Sequence, residues 1–254
     1  MKVRILGCSG GIGGDLHTTS LLLDHDVLID AGTGVCVLSV AELAQIDHIF
    51  ITHSHLDHVA SVPFLLDTVF PMREKPVTLH GTAETLAILQ EHLFNWKLWP
   101  DFTTIPDPAN PALRYDVIQV GSPCLLGSRK IIPVPANHVV PAVGYHLDSG
   151  AASLVYTGDT TTNDDLWQVV NQIANLRYLV IETALPDGDR PLAALSKHLC
   201  PSLLAEELEK LQLFPELYIT HLKPRESHII MSEIAAQVRN RRVHMLRNNQ
   251  VFHL

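Results

Sequence analysis

The run Thr-His-Ser-His-Leu-Asp-His at residues 52–58 constrains this chain more than any other feature of its sequence. It places three imidazoles and a carboxylate within six residues, directly after a short apolar stretch. Neutral imidazole and carboxylate suit borderline divalent metals such as zinc. In an extended chain His53 and His55 point the same way, whereas Asp57 and His58 face a second position if the chain turns there. Two ligand sets from one segment predict two metal ions about 3.5–4 Å apart.

Three distant residues supply what the histidine-rich segment lacks. His138, Asp159 and His221 each follow a predicted strand, where loops from neighbouring strands converge. A single histidine after a strand is more commonly structural than metal-binding, and the segment itself could be a histidine-rich surface loop. The combination argues for metal, because it completes two sets that share one aspartate. The first ligand set is His53, His55, His138 and Asp159, and the second ligand set is Asp57, His58, His221 and Asp159.

Composition restricts the setting in which this chemistry occurs. The 254 residues contain no linker-like tract, so we expect one domain spanning 1–254. No apolar run reaches the roughly 18–20 residues of a membrane span, and the first residues lack the apolar core of an export signal. The four cysteines form no Cys-x-x-Cys pair, which indicates free thiols in the cytoplasm. A net charge of −9 argues against broad binding to nucleic acid.

The hydrophobic pattern predicts two sheets packed together with helices outside. Predicted strands cover residues 3–6, 20–23, 27–30, 46–52, 76–80, 113–120, 130–135, 142–147, 153–157, 178–182 and 217–220. Predicted helices cover residues 37–44, 59–69, 83–94, 164–174, 201–211 and 227–240.

Two other features invite a functional interpretation that the sequence does not support. The glycine-rich stretch 7–14 resembles a dinucleotide-binding fingerprint, but too few residues follow it for a crossover helix before the next strand. We expect these glycines to form a tight turn near the metal site. Nine histidines have no partner pattern and are interpreted as structural or exposed: His17, His25, His48, His80, His92, His146, His228, His244 and His253.

The ligand pattern resembles the metallo-β-lactamase superfamily over nearly the whole chain. That resemblance implies an α/β (α+β) fold, the four-layer αββα sandwich. Asp30, in Leu-Ile-Asp-Ala-Gly-Thr-Gly at 28–34, matches the first motif of the family and would orient a histidine or its loop. A flavin-partnered redox branch carries Glu at the position of His55, and the β-lactamase branch often carries Cys at the position of Asp159. Both differences favour the branches that cleave phosphoesters.

Five segments resemble class II 3′,5′-cyclic-nucleotide phosphodiesterases of that superfamily. They are His-Ser-His-Leu-Asp-His-Val-Ala-Ser-Val at 53–62, Phe-Asn-Trp-Lys-Leu-Trp-Pro-Asp-Phe at 94–102, Ile-Glu-Thr at 181–183, Lys-His-Leu at 197–199 and Thr-His-Leu-Lys-Pro at 220–224. The resemblance implies a metal-dependent hydrolase that converts cyclic AMP or cyclic GMP to the 5′-nucleotide. A hydroxide bridging the two ions would attack phosphorus, with zinc the expected metal and manganese or iron the alternatives.

Residues outside the ligand sets receive candidate roles as well. Asp57 would act in catalysis as a metal ligand, and His198, held and charged by Glu182, would donate a proton to the leaving 3′ oxygen. A purely structural Glu182–His198 pair is the alternative. Lys223 could contact phosphate or simply be solvated. Trp96 could stack on a purine, although anchoring a loop or filling a subunit contact is the commoner role of such a ring.

Several other functions share the same ligands. A tRNA 3′-processing endonuclease would need a basic arm, and the twenty residues between His138 and Asp159 contain no lysine or arginine. A phosphoribosyl cyclic phosphodiesterase or another small phosphodiester hydrolase remains open, as do a thioester or lactone hydrolase and a non-catalytic metal-binding protein. The expected partners are a small cyclic nucleotide and, from the resemblance, a second copy in a homodimer. Neither a membrane nor nucleic acid is expected as a partner.

Overall fold

The structure is a computed structural model that describes residues 1–254. Its strands are β1 Lys2–Gly7, β2 Ser20–Leu23, β3 Val27–Ile29, β4 His48–Phe50, β5 Val77–Gly81, β6 Pro106–Asp107, β7 Asn110–Pro111, β8 Leu113–Val117, β9 Cys124–Leu126, β10 Arg129–Pro135, β11 Val143–Asp148, β12 Ser153–Tyr156, β13 Leu176–Glu182, β14 Glu216–Thr220, β15 Val243–Met245 and β16 Val251–His253. Its α-helices are α1 Val40–Leu43, α2 Leu56–Val59, α3 Val62–Val69, α4 Ala83–His92, α5 Asp164–Val170, α6 Arg190–Ser196, α7 Pro201–Leu208 and α8 Ser227–Gln237.

Two seven-stranded sheets form the body of the protein. The first sheet has the order β16-β1-β2-β3-β4-β5-β8, and the second has the order β15-β14-β13-β12-β11-β10-β9. Strands β6 and β7 form a separate two-stranded hairpin. None of the helices has the length and apolar character that crossing a bilayer requires.

The alternation of side chains along each strand produces the layers. In β2, Leu21 and Leu23 belong to the core between the sheets, whereas Leu22 faces the helices outside the first sheet. In β12, Tyr156 faces the inter-sheet core and Val155 faces the helices outside the second sheet. Each sheet therefore buries both faces, since successive residues of a strand point to opposite sides. The predicted four-layer αββα sandwich is confirmed.

Strand direction brings the candidate ligands to one edge of the sandwich. Strands β3, β4 and β5 are parallel, as are β12, β13 and β14. Strand β10 runs in the same direction as β12, because both pair antiparallel with β11. The carboxyl ends of parallel strands meet at the same edge, where loops can converge. The histidine-rich segment follows β4, and the other loops that carry candidate ligands follow β10, β12 and β14.

Several element boundaries differ from those predicted. The helix predicted over 59–69 is two helices, α2 and α3, separated at residues 60–61. Pro63 lies in the first turn of α3, the position where its missing N–H costs least. The helix predicted over 37–44 is shortened because Ser39 forms a capping box with Glu42 and starts α1 at Val40. Strands β15 and β16, each three residues long, were not predicted.

One ion pair ties the two sheets together at the opposite edge of the sandwich, where β3 and β10 begin. The Arg129 guanidinium at the start of β10 binds both carboxylate oxygens of Asp26 in the turn between β2 and β3, with Nη2 2.7 Å from Oδ2. The hydrogen bond from Arg129 holds the pKa of Asp26 below its ordinary value of 3.8, although burial of the carboxyl opposes this shift. A bidentate, largely buried pair of this kind is stronger than an exposed one.

Replacing Arg129 tests the contribution of this pair. We expect Arg129→Met to lower the free energy of unfolding by about 1–3 kcal/mol at neutral pH, measured by urea denaturation. Because folding lowers the pKa of Asp26, the unfolded chain binds the proton first. The stabilisation is therefore complete above about pH 5 and is lost as pH falls from 3.8 through the lower folded pKa.

Lys130→Met is the matched control, because the neighbouring lysine is half exposed and its Nζ lies 3.6 Å from Asp148. We expect the control to cost less than about 1 kcal/mol. A deficit in Arg129→Met that stays constant down to about pH 2 would contradict the assignment to Asp26.

Candidate metal centre

The structure brings all seven predicted ligands together between the sheets. The ligand atoms of His53, His55 and His138 lie within 4.8 Å of one another. The same holds for the group formed by Asp57, His58, Asp159 and His221. These groups match the first and second ligand sets, except that Asp159 falls in the second group only.

Asp159 lies between the two sets. Its Oδ2 is 3.8 Å from His53 Nε2 of the first set. Its Oδ1 is 3.4 Å from His58 Nε2 and 3.4 Å from His221 Nδ1 of the second set. One carboxylate therefore presents one oxygen to each set, as the shared role requires.

The donor atoms fit a divalent cation. Four of them are buried without any hydrogen-bond partner: His53 Nε2, His58 Nε2, Asp159 Oδ1 and His221 Nδ1. Leaving a buried polar atom unsatisfied costs about 1–3 kcal/mol, so such atoms are rare and need an explanation. One cation in each ligand set would satisfy all four, because His53 Nε2 belongs to the first set and the other three atoms belong to the second.

Protonation states also match what metal binding needs. Burial lowers the pKa of His53 well below 6.5, that of His138 to about 4 and that of His221 to about 3. These imidazoles are therefore neutral near pH 7, and a metal ligand must be unprotonated.

The buried aspartate supplies the negative charge of the centre. Burial works to raise the pKa of Asp159, but His221 and His58 outweigh it and hold the pKa well below 3.8. Burial likewise works to lower the pKa of His58, but the carboxylates of Asp159 and Asp30 raise it well above 6.5. His58 is thus the one ligand that binds a proton strongly at the place where a cation would lie.

Contacts behind the ligands hold them in place. His58 Nδ1 donates to Asp30 Oδ2 at 2.7 Å, which is the contact expected for Asp30. His138 Nδ1 donates to the carbonyl of Lys197 at 3.1 Å. Asp30, Lys197 and His221 have φ values of 57°, 52° and 63°, a left-handed backbone that costs energy in residues other than glycine. The role of Lys197 was missed, although the Lys-His-Leu segment that contains it had been singled out.

The Glu182–His198 pair lies beside both ligand sets. Glu182 Oε1 accepts from His198 Nδ1 at 2.7 Å, and the carboxylate is fully buried. The His198 ring lies 5.0 Å from the His138 ring and 5.2 Å from the His221 ring. Burial lowers the pKa of His198, but the Glu182 carboxylate more than compensates, so the net shift is upward. Burial raises the pKa of Glu182.

The two candidate substrate contacts lie in different places: Lys223 is beside the ligand His221, whereas Trp96 is on an exposed loop. Lys223 Nζ donates to the Gly10 carbonyl at 2.8 Å, in the glycine-rich turn that adjoins His221. Trp96 lies in the loop after α4 with 64% of its surface exposed, and it makes no hydrogen bond or ring contact with the cluster. Trp99 and Phe102 of the same loop pack against the core of the first sheet, which agrees with the loop-anchoring alternative.

The remaining predictions near the centre can be located as well. A Cβ atom on Gly10 would lie 2.5 Å from the His221 carbonyl oxygen, so glycine permits the close turn expected there. The nine histidines interpreted as structural or exposed belong to none of the groups of side chains that could hold a metal ion. Two of them, His48 and His80, contact each other at 3.0 Å, and His80 also contacts Asp116.

Comparison with known proteins identifies the family and names relatives of two activities. A family model described as "Beta-lactamase superfamily domain" matches residues 25–243. A probable 3′,5′-cyclic-nucleotide phosphodiesterase of Yersinia pestis is 26% identical over 204 residues, which cover 71% of this chain and 58% of that protein. The 3′,5′-cyclic-nucleotide phosphodiesterase of Aliivibrio fischeri is 27% identical over 251 residues, which cover 82% of this chain and 74% of that protein. A ribonuclease Z of Haloarcula marismortui is 30% identical over 156 residues, covering 58% and 47%.

The chain thus spans less than two thirds of the length of the Yersinia and Haloarcula proteins. The ribonuclease Z match also means that these comparisons give no support to the expectation that nucleic acid is not a substrate.

The fold has close neighbours among solved structures. Unliganded yeast PDE1 superposes with a TM-score of 0.82, covering 100% of this chain and 99% of that one at 19% identity. Identity at this level establishes the fold alone. The family match over residues 25–243, in agreement with this fold, shows that the chain belongs to the metallo-β-lactamase superfamily of hydrolases.

Proposed function

We propose that this protein is a dinuclear phosphodiesterase that hydrolyses 3′,5′-cyclic nucleotides to 5′-nucleotides. The observation that carries the proposal is Asp159, whose two oxygens face one ligand set each. The relatives named cyclic-nucleotide phosphodiesterases support the substrate class.

The two ligand sets would each hold one divalent ion, for which zinc is the proposed identity because imidazole nitrogens predominate. Bound ions would polarise the phosphoryl oxygens and lower the pKa of water from 15.7 to about 7. The chain's own contribution is to keep His53, His138 and His221 neutral by burial and to hold Asp159 as an anionic ligand.

His198 is the proposed acid for the leaving group. Its Nδ1 is occupied by Glu182, so Nε2 is the nitrogen left to hold and release a proton. When water attacks phosphorus and the bond to the 3′ oxygen breaks, the departing alkoxide needs that proton. Lys223 is proposed to contact the phosphate, and Trp96 to stack on the base.

A nuclease acting on tRNA precursors is the second candidate, and the ribonuclease Z relative favours it. Residues 139–158, where such enzymes commonly carry a basic arm, instead form the paired strands β11 and β12 and contain no lysine or arginine. This segment supports a small substrate rather than a long polyanion. Homodimer formation and a cytoplasmic location stay predictions.

A substrate panel tests the proposed activity. The purified protein with zinc is incubated with cyclic AMP, cyclic GMP, a 2′,3′-cyclic nucleotide and a tRNA precursor, and the products are separated by chromatography. We expect 5′-nucleotides from the 3′,5′-cyclic substrates, loss of turnover on chelation and recovery on adding zinc. Cleavage of the tRNA precursor alone would contradict the proposal in favour of the nuclease.

Substituting His198 tests the proton donor. We expect His198→Ala to slow cyclic-nucleotide turnover by about 10²–10⁴-fold while zinc content is unchanged. An activated aryl phosphodiester should lose much less, because its leaving group departs without a proton. His146→Ala is the control, since His146 is equally buried but lies outside the cluster. Equal losses on both substrates would refute the leaving-group role.

Steady-state kinetics test the two substrate contacts. We expect Trp96→Ala to raise KM for cyclic nucleotides about tenfold, the loss of one stacking contact. We expect Lys223→Met to lower kcat/KM, since it removes a cation from the side of His221. Leu98→Ala, which truncates another exposed side chain of the Trp96 loop, should change neither constant. An unchanged KM in Trp96→Ala would remove stacking from the proposal.

A further inference from the structure

We propose that Thr52 is a positioning residue that fixes which ring nitrogen of His53 carries the hydrogen, and that it thereby makes Asp30 orient one histidine in each ligand set. The inference rests on the proposed dinuclear centre but not on the substrate. It concerns a fully buried group of four residues, Asp30, Thr52, His53 and His58, each with 0% of its surface exposed.

The Thr52 hydroxyl lies between the Asp30 carboxylate and two imidazoles, of which His53 is the nearer and His58 Nδ1 lies 3.4 Å away. Its Oγ1 is 3.0 Å from Asp30 Oδ1, 2.9 Å from Asp30 Oδ2 and 3.0 Å from His53 Nδ1. The backbone N–H of Thr52 also donates to Asp30 Oδ1 at 2.8 Å. These bonds hold the threonine in place from both its main chain and its side chain.

Counting hydrogens assigns the direction of each bond. A hydroxyl has one hydrogen, and an ionised carboxylate only accepts. Thr52 therefore donates to Asp30, and the bond with His53 must run from Nδ1–H to the hydroxyl oxygen. A neutral imidazole with its hydrogen on Nδ1 has its lone pair on Nε2. That Nε2 is one of the buried atoms without a partner, and it faces Asp159.

The same carboxylate sets His58 by direct contact. Asp30 Oδ2 accepts from His58 Nδ1 at 2.7 Å, which leaves His58 Nε2 free to face Asp159 Oδ1. Tyr156 of the second sheet adds a further hydrogen bond to Asp30 Oδ2 at 3.2 Å. Asp30 thus governs the first ligand set through Thr52 and the second ligand set directly. The two ligand sets therefore share one supporting carboxylate, which is not itself a metal ligand.

Removing the hydroxyl should therefore change the tautomer of His53. In Thr52→Val the volume is kept but His53 Nδ1–H has no acceptor, and a buried unsatisfied donor is costly. The alternative tautomer places its hydrogen on Nε2, on the side of the Asp159 carboxylate. In Thr52→Ser the hydroxyl remains, so the Nδ1–H form should remain.

The first measurement is ¹⁵N–¹H NMR of the histidine rings in metal-free protein, which reports the tautomer without any activity assay. We expect His53 in the Nδ1–H form in the wild type and in Thr52→Ser, and in the Nε2–H form in Thr52→Val. Thr85→Val is the matched control, because it deletes another fully buried threonine hydroxyl outside this network. It should leave the His53 signals unchanged.

The second measurement is a zinc titration against a competing chelator, with the His53 and His58 ring signals showing which set is filled. We expect Thr52→Val to weaken the first ligand set about 10–100-fold and to leave the second set unchanged. Asp30→Asn should weaken both. If Asp30→Asn does not fold, the comparison of Thr52→Val with Thr52→Ser still decides the question.

Two results would overturn the inference. One is an unchanged Nδ1–H tautomer of His53 in Thr52→Val. The other is an equal loss of zinc affinity in Thr52→Val and Thr52→Ser. Failure of the proposed function is a separate result, seen when the wild-type protein binds zinc with the expected tautomers but cleaves no 3′,5′-cyclic nucleotide.

Discussion

The contact between the Asp159 carboxylate and histidines of the opposite sheet is the interaction on which the centre depends. Asp159 follows a strand of the second sheet, whereas His53 and His58 follow a strand of the first. The site therefore exists only when the two sheets pack in one relative position. Polar bonds across the same gap enforce that position, including Tyr145 Oη to the Ile51 carbonyl at 2.7 Å and Val143 N–H to the Thr52 carbonyl at 3.0 Å.

Burying the carboxylates of Asp30 and Asp159 opposes folding, and nearby hydrogen-bond donors offset part of this desolvation free energy. Removing charges from water is expensive unless they are paired and hydrogen-bonded. Asp30 is surrounded by donors and accepts from Thr52, His58 and Tyr156, so its carboxylate is fully satisfied. Asp159 is not, since its Oδ1 has no hydrogen-bond donor. Asp30, which supports the site, thus has all the hydrogen bonds it needs, whereas Asp159, which would bind metal, does not. The unfavourable free energy of burial therefore falls mainly on Asp159, where a bound cation would offset it.

The sequence predicted the fold and the members of the cluster for a physical reason. A lone histidine after a strand is commonly structural, but His138, Asp159 and His221 complete two ligand sets with the histidine-rich segment, so the members could be identified together without coordinates. Boundaries were harder, because a capping box at Ser39 and a proline at position 63 determine where helices begin, and these override the apolar period. The roles of Thr52 and Lys197 were not predictable. Each depends on a contact through a hydroxyl or carbonyl whose direction only the folded backbone reveals.

Substrate choice in this fold has to be decided outside the ligand sets. Relatives named phosphodiesterase and ribonuclease Z match this chain at similar identity, and the ligand chemistry does not separate a small cyclic ester from a nucleic acid. What differs is the surface that meets the rest of the substrate. Here the segment between His138 and Asp159 forms the paired strands β11 and β12. It contains no lysine or arginine that could bind a polyanion. A small anion needs no such arm. Under the proposed function it would need only groups beside the ligand sets, such as the Glu182–His198 pair, whose imidazole ring lies 5.0 Å from the His138 ring and 5.2 Å from the His221 ring.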